Sequence, residues 1–226
     1  MDIKHTAILA LALLACSCHD TLRNGDLVFQ ANESSNFVDA IEAATYNGGL
    51  SFSHVGLVYT SDTGIYVIEA TPRHGVVATP IEAFLDDSAH DTFGKPLVKY
   101  YRAKASHDLA DKAVAKALSL IGTPYDFAFD TGTENIYCSE LIYECFIGTD
   151  GRHLFETQPM NFRDANGNLP AYWVEHFGRL GIPIPENESG TNPNDMARSD
   201  KIKELAIQDA YSSSNLAAKK LKLTLP

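Results

Sequence analysis

Two cysteines lie seven residues apart in the stretch NIYCSELIYECF, residues 135–146. With Leu141 and Ile142 between them, they follow the i, i+3, i+4, i+7 spacing that puts side chains on one apolar face of a helix. Cys138 falls in the first turn, where free backbone N–H groups and the helix dipole favour a thiolate, the reactive form of cysteine. Cys145 lies two turns further on and gains little from this. The pattern therefore indicates a nucleophile at Cys138, or alternatively two small core residues.

A nucleophilic cysteine needs a base and usually a group that orients it. Among eight histidines, His54 stands inside an apolar strand, SHVGLVY, where Val55 and Leu57 alternate with it and point to the other face. Glu69 occupies a similar place in IYVIEA. With a four-residue connection at Thr60–Thr63, residues 54 and 69 are predicted to oppose each other across a hairpin, about 5 Å apart. Such a carboxylate would fix the imidazole tautomer; the alternative is a structural hydrogen bond in a half-exposed sheet.

The elements around these residues indicate an α+β domain. GDLVFQ predicts a first strand, a helix is predicted from about Asn36 to Tyr46, and the turn SDTG joins the two strands of the hairpin. Further strands are predicted at GVVATP and PLVKYYRA, and SHDLADKAVAKALSLIG has the apolar stripe of an amphipathic helix. Strands that precede helices, with no internal repeat, favour one α+β domain.

Four segments, in the same order and with similar gaps, resemble the YiiX/YaeF-like branch of the NlpC-type, papain-like cysteine amidases and peptidases. They are GDLVFQ, SHVGLVY followed by YVIEA, GTPYDFAF and YCSELIY, between residues 25 and 143. The resemblance implies a circularly permuted papain-like fold, in which an antiparallel sheet packs against a cysteine-bearing helix. In this branch the histidine strand precedes the cysteine helix, as His54, Glu69 and Cys138 do here.

That resemblance also implies roles for the residues. Cys138 would be the nucleophile, His54 the general base and Glu69 the orienting residue, acting through a thioester. Because papain-like sites commonly use a glutamine, Gln30 is the candidate oxyanion donor; the alternative is a solvated glutamine at a strand end.

Two tyrosines flank the predicted site along the chain. Tyr125 and Tyr137 are candidates to line the substrate pocket, with half-buried packing as the alternative. The sequence contains no HExxH, CxxC pair, EF-hand loop or phosphate loop, so we expect neither a metal nor a cofactor, which thiol acyl chemistry does not need.

The composition limits the classes of molecule that the protein is expected to bind. The formal net charge is −11 and the pI is about 5.1, without a basic cluster, which argues against a nucleic-acid partner. We expect a small peptide, amide or acyl substrate, and membrane contact only through a lipid at the N-terminus.

The N-terminus has the pattern of an export signal. Lys4 precedes the apolar run TAILALALLA, which is too short for a permanent membrane span. LLAC resembles a bacterial lipobox, so we predict a signal peptide over residues 1–15, a lipidated Cys16 and tether over 16–23, the enzyme domain over 24–205 and a tail over 206–226. The protein would then be anchored in the cell envelope, facing the periplasm; the alternative is a plain cleaved signal that removes Cys16.

Export permits disulfides. Seven helical residues, however, rise about 10.5 Å, beyond the roughly 7 Å between Cα atoms that a disulfide spans. Cys138 and Cys145 are therefore predicted to remain unpaired.

Three functions fit these features. The first is an exported cysteine amidase or peptidase that acts on cell-wall peptides. The second is a lipid-directed thiol hydrolase or acyltransferase, for which we expect a large apolar groove beside Cys138. The third is an envelope binding protein that keeps the fold with an unreactive Cys138.

The lipid anchor can be tested directly. Cells that express the full chain and are grown with radiolabelled fatty acid should yield a labelled protein, because the lipobox directs acylation of Cys16. Cys16→Ala should abolish the label, whereas Cys18→Ala should retain it. Label that persists in Cys16→Ala would contradict the lipoprotein prediction.

Overall fold

The computed structural model describes residues 20–46 and 48–207. Within these residues the chain forms the following elements in order: β1 (Asp26–Gln30), α1 (Asn36–Thr45), β2 (His54–Ser61), β3 (Gly64–Thr71), β4 (Gly75–Pro80), α2 (Ile81–Asp86), β5 (Val98–Ala103), α3 (His107–Ser119), α4 (Cys138–Cys145), β6 (Gln158–Pro159), α5 (Ala171–Leu180), β7 (Ser189–Gly190), α6 (Pro193–Ala197) and β8 (Ile202–Glu204). The chain contains both helices and strands, and most strands of the main sheet come early in the chain, which agrees with the α+β prediction.

Six strands form one antiparallel sheet in the order β4-β3-β2-β1-β5-β8. The strand that carries His54 lies in the middle of this sheet, between β3 and β1. The cysteine helix α4 follows all but the last of these strands along the chain and packs against β2 and β3. This is the sheet-against-helix arrangement that the sequence predicts.

Each face of the sheet covers a separate part of the core, because side chains alternate along a strand. On one face, Leu27, Val55 and Leu57 pack with Leu141 and Ile142 of the cysteine helix. On the other face, the intervening strand residues pack against α2; this second cluster comprises Val28, Val58, Val67, Ile81, Phe84 and Leu85. The apolar face of α4 is therefore fixed against the strand that begins with His54.

The hairpin between β2 and β3 is tighter than predicted. Ser61 pairs with Gly64, so that two residues connect the strands instead of four, and Leu57 pairs with Ile68. Continuing this register places Glu69 opposite Gly56, not opposite His54. The shift is by two residues, which preserves the side-chain alternation. His54 and Glu69 therefore still share a face, as diagonal neighbours.

The ends of the domain extend further than predicted. Leu22, assigned to the tether, is buried in the second cluster, and the Asp20 N–H donates to the Ala206 carbonyl at 3.0 Å. Near the C-terminus, Ile202–Glu204 is a strand paired with β5. The signal peptide, Cys16 and most of the tail lie outside the described residues. Among the described helices, none has the length and apolar character to cross a membrane.

Gly56 provides a test of this register. A Cβ at Gly56 would lie 2.2 Å from Val67 Cγ1 and 3.4 Å from Glu69 Cβ, and Val67 is a stiff, fully buried side chain. We expect Gly56→Ala to lower the free energy of unfolding by about 1–3 kcal/mol through overpacking, measured by urea denaturation. In the Val67→Ala background the same change should cost less, because the clashing methyl group is absent. Equal costs in both backgrounds would contradict the register.

Candidate active site

The imidazole of His54 and the carboxylate of Glu69 form a short, buried hydrogen bond. His54 Nε2 lies 2.6 Å from Glu69 Oε2, and both side chains are less than one-tenth exposed. His54 is the first residue of β2, and so it lies at the end of the sheet, where a helix terminus can approach it. The diagonal placement on the hairpin brings these two groups together as predicted, although through a different register.

The thiol of Cys138 lies within interaction range of the same imidazole. Because Nε2 contacts Glu69, Nδ1 is the ring nitrogen left for the sulfur. Burial lowers the pKa of His54, but the hydrogen bonds to Cys138 and Glu69, together with their negative charges, outweigh this and raise the pKa to about 10. The arrangement therefore stabilises an imidazolium beside the sulfur of Cys138, as nucleophilic catalysis by cysteine requires.

The two cysteines have different surroundings. Cys138 is the first residue of α4, where the N–H groups of the first turn have no partner in the helix and favour an anion. Cys145 ends the same helix, and burial raises the pKa of its thiol to about 12. Both are unpaired, as predicted. Position along the helix thus separates a thiol at the helix start, next to His54, from one that serves as a core residue.

A segment near the C-terminus holds the start of the cysteine helix. Thr191 N–H donates to the Tyr137 hydroxyl at 3.0 Å, and Thr191 Oγ1 donates to Ser139 Oγ at 2.9 Å. These two hydrogen bonds fix Tyr137 and Ser139, the residues on either side of Cys138. Thr191 directly follows β7 and lies in the polar stretch ENESGTNPNDMARS, residues 186–199.

Asn194 connects that segment to the histidine strand. Its Oδ1 accepts from the Phe52 N–H at 2.8 Å, and its Nδ2 donates to the Phe52 carbonyl at 3.0 Å and to Thr45 Oγ1 at 2.8 Å. Phe52 is two residues before His54. Asn194 thereby fixes the approach to β2, and nothing in the sequence pattern distinguishes this asparagine from its polar neighbours.

Gln30 does not have the predicted role. It is fully buried, and its side-chain Nε2 donates to the Phe84 carbonyl at 2.7 Å and to Ser88 Oγ at 2.9 Å. Both N–H donors of the amide are therefore used in tying β1 to the end of α2. Gln30 pairs with His54 across the sheet, but its amide has no free donor for an oxyanion. The prediction of an oxyanion donor at Gln30 is wrong; the residue is structural.

A small apolar pocket opens beside the nucleophile. Both predicted tyrosines, Tyr125 and Tyr137, line it together with Cys138. Its volume is about 70 Å³, well below the roughly 300–1,000 Å³ of typical ligand pockets. Most of the other lining side chains are apolar; they include Ile41, Phe129, Met160, Phe162, Trp173 and Pro193. The pocket can therefore admit a small apolar group next to the sulfur.

The loop before the cysteine helix shapes this pocket. Phe129 has a left-handed backbone, with φ of 55°, and its ring packs edge-on against Trp173 of α5. The carboxylate of Asp126 accepts hydrogen bonds from the N–H groups of Ala128 and Asp130 at 2.8 and 2.7 Å. It therefore stabilises a turn, a common role of aspartate. His176, also on α5, is within 2.7 Å of the Phe127 carbonyl through Nε2. Helix α5 thus supports the loop that carries the pocket's aromatic wall, which no short motif reveals.

Comparisons with known proteins agree with this site. A family model described as permuted papain-like amidase enzyme, YaeF/YiiX, C92 family, matches residues 21–206. The chain is 29% identical over 165 residues to the uncharacterized protein YiiX of Escherichia coli (strain K12), covering 73% of this chain and 77% of that protein. The crystal structure of a protein described as metalloprotein yiiX from Escherichia coli O157:H7 is similar, with a TM-score of 0.67 and 25% identity over 82% of this chain and 97% of that one. The predicted family resemblance and the permuted papain-like fold are confirmed.

The word metalloprotein in that description applies to the E. coli protein. Within residues 20–46 and 48–207 of this chain, no group of three or more His, Cys, Asp or Glu side chains is arranged to hold a metal ion.

The protonation of His54 can be measured by NMR. With its pKa raised from 6.5 to about 10, the imidazole should remain protonated through neutral pH and lose its proton only as the pH approaches that value. Glu69→Gln removes the negative charge that stabilises the imidazolium, so the titration should move to lower pH. Glu175→Gln, at an exposed position of α5, should leave it unchanged. A neutral His54 ring at pH 7.5 in the wild-type protein would contradict the ion-pair assignment.

Proposed function

Because the chain belongs to the permuted papain-like amidases of the YaeF/YiiX, C92 family, we propose that it is an exported, lipid-anchored enzyme that hydrolyses an amide bond in cell-wall peptides. Cysteine amidase or peptidase activity is the activity of the family. The catalytic triad Cys138, His54 and Glu69, the location and the substrate are our proposal.

One observation carries the proposal of the triad. The imidazole of His54 contacts a buried carboxylate at 2.6 Å through one nitrogen and also interacts with the thiol of Cys138. A histidine with only a structural role would need its hydrogen bond to Glu69 alone. It would not also need to lie next to the cysteine at the start of a helix. This chain of three groups supports nucleophilic catalysis by the mechanism that cysteine hydrolases use.

In the first step, the thiolate of Cys138 attacks the amide carbonyl carbon. The carbonyl π electrons move to oxygen, and the backbone N–H of Cys138, unpaired at the helix start, stabilises the resulting oxyanion. When the tetrahedral intermediate collapses, the C–N bond breaks and the imidazolium of His54 gives its proton to the leaving amine. The products are a free amine and a thioester on Cys138.

In the second step, water hydrolyses the thioester. Neutral His54 takes a proton from water as the water oxygen attacks the thioester carbonyl, and the C–S bond then breaks to restore the thiolate and the imidazolium. The carboxylate of Glu69 holds the ring orientation and stabilises its positive charge throughout, without taking the proton. The acyl product leaves as a carboxylic acid, which gives its proton to the solvent.

The proposed substrate class rests on location. The lipobox at residues 13–16 supports anchoring of the mature chain at Cys16, and the envelope compartment contains peptidoglycan. The small pocket beside Cys138 fits the short side chains of peptides better than a bulky group.

One property of the pocket also supports the second candidate function, that of a lipid-directed enzyme. Its apolar lining, with Phe129, Phe162 and Trp173, suits an acyl segment, as a lipid-directed thiol hydrolase or acyltransferase requires. The volume of about 70 Å³, however, is far from the large groove that a long acyl chain needs. Size therefore favours the amidase over the lipid enzyme.

The proposal is tested by turnover of the purified protein on two substrate sets, cell-wall peptides and phospholipid vesicles. We expect release of free amines from the peptides. Cys138→Ala should lower turnover by about 10³-fold or more, because no other group supplies the nucleophile. Mass spectrometry of acid-quenched wild-type protein should detect the acyl group on Cys138.

Cys145→Ala is the matched control, because it removes the other thiol of the same helix and should retain turnover. Release of lysolipid and fatty acid from vesicles, with no action on peptides, would favour the lipid enzyme. Turnover that persists in Cys138→Ala, or a Cys138 that iodoacetamide does not alkylate at neutral pH, would overturn the catalytic assignment and favour an envelope binding protein.

A further inference from the structure

The carboxylate of Glu69 has a second partner besides His54. Its Oε1 accepts a hydrogen bond from the Thr79 hydroxyl at 2.5 Å, while Oε2 contacts His54 Nε2 at 2.6 Å. Each oxygen of this buried carboxylate is thus bound by a different strand. Two bonds to opposite oxygens fix the plane of the carboxylate, since rotation about its terminal bond would break both.

The strand register places Thr79 for this contact. Across β3 and β4, Val67 pairs with Thr79 and Glu69 pairs with Val77. Thr79 is therefore the diagonal neighbour of Glu69 on the same face, as His54 is on the other side. The three side chains form a continuous row across β2, β3 and β4.

Few other charged groups act on this row. Helix α2 packs against β3 and β4 and turns Ile81, Phe84 and Leu85 toward the sheet. Its acidic residues are partly or fully exposed; they are Glu82, Asp86 and, directly after the helix, Asp87. The charged groups that shift the protonation of His54 are Glu69 and Cys138. The Thr79 hydroxyl is thus the polar group that binds the distal oxygen of Glu69 on the face of the sheet that α2 covers.

We propose that Thr79 is a positioning residue for catalysis, which orients Glu69 and so supports the ion pair of His54 and Cys138. This rests on the proposed function, because it assigns a role within that triad. Nothing in the sequence pattern marks Thr79, one of several β-branched residues in a strand.

The physical reason is the cost of an unsatisfied buried oxygen. Without the hydroxyl, Oε1 of the buried Glu69 carboxylate loses the protein donor that orients it. The carboxylate then rotates away from His54 or binds a proton, and either change weakens its hold on the imidazolium. The imidazolium of His54 is then less stable, so it loses its proton at a lower pH than in the wild type.

The test measures the NMR titration of the His54 imidazole, so it needs no substrate. Thr79→Val removes the hydroxyl at nearly constant volume, and Thr79→Ser retains it. For Thr79→Val we expect the His54 titration to move to lower pH by roughly half to one pH unit, since hydrogen bonds to charged groups are among the strong ones. Thr79→Ser should match the wild type.

A double-mutant cycle separates positioning from general destabilisation. If Thr79 acts through Glu69, Thr79→Val should add no further shift in the Glu69→Gln background. An equal shift in both backgrounds, or a Thr79→Val protein whose profile equals the wild type while only its unfolding midpoint falls, would overturn the inference.

Failure of this inference differs from failure of the proposed function. If Cys138 is alkylated no faster than Cys145, or if His54→Ala leaves its rate unchanged, the triad itself is wrong. If both controls behave as expected and Thr79→Val has no effect, only the role of Thr79 is wrong.

Discussion

The site depends on one buried hydrogen bond, between the imidazole of His54 and the carboxylate of Glu69. Burying charged groups is expensive, and such a pair persists only where the geometry is good and the remaining polar atoms have partners. Here the imidazole also interacts with Cys138, and the second carboxylate oxygen accepts a hydrogen bond from the Thr79 hydroxyl. The protein satisfies each polar atom of the pair with a group that either performs the chemistry or holds the pair in place.

The fold provides the rigidity that this pair needs. The sheet fixes three of the four groups on adjacent antiparallel strands, and the apolar face of α4 fixes Cys138 against them. The segment that includes Thr191 and Asn194 then binds both the start of that helix and the approach to β2. Two residues far along the chain therefore help to hold Cys138 and His54 in their relative positions.

The predictable part of the site was local. The spacing in the cysteine helix separates Cys138 from Cys145 by position relative to the helix dipole, and strand alternation places His54 and Glu69 on one face. That argument tolerated an error in hairpin length, because a shift of two residues preserves the face. Gln30 was the failure: its residue type suited an oxyanion donor, but its amide is bound by Phe84 and Ser88, partners more than fifty positions away.

From the sequence alone came the export signal pattern, the family resemblance, the α+β class and the three groups of the candidate triad, because these depend on residue type, order and short-range periodicity. Tertiary structure alone decided which polar groups satisfy one another, among them Thr79 with Glu69 and Asn194 with Phe52. It also decided the size of the pocket beside Cys138, whose walls come from segments far apart along the chain. The reason is physical: periodicity fixes the face on which a side chain lies, whereas hydrogen-bond partners and cavity volume depend on distances between elements that no local pattern encodes.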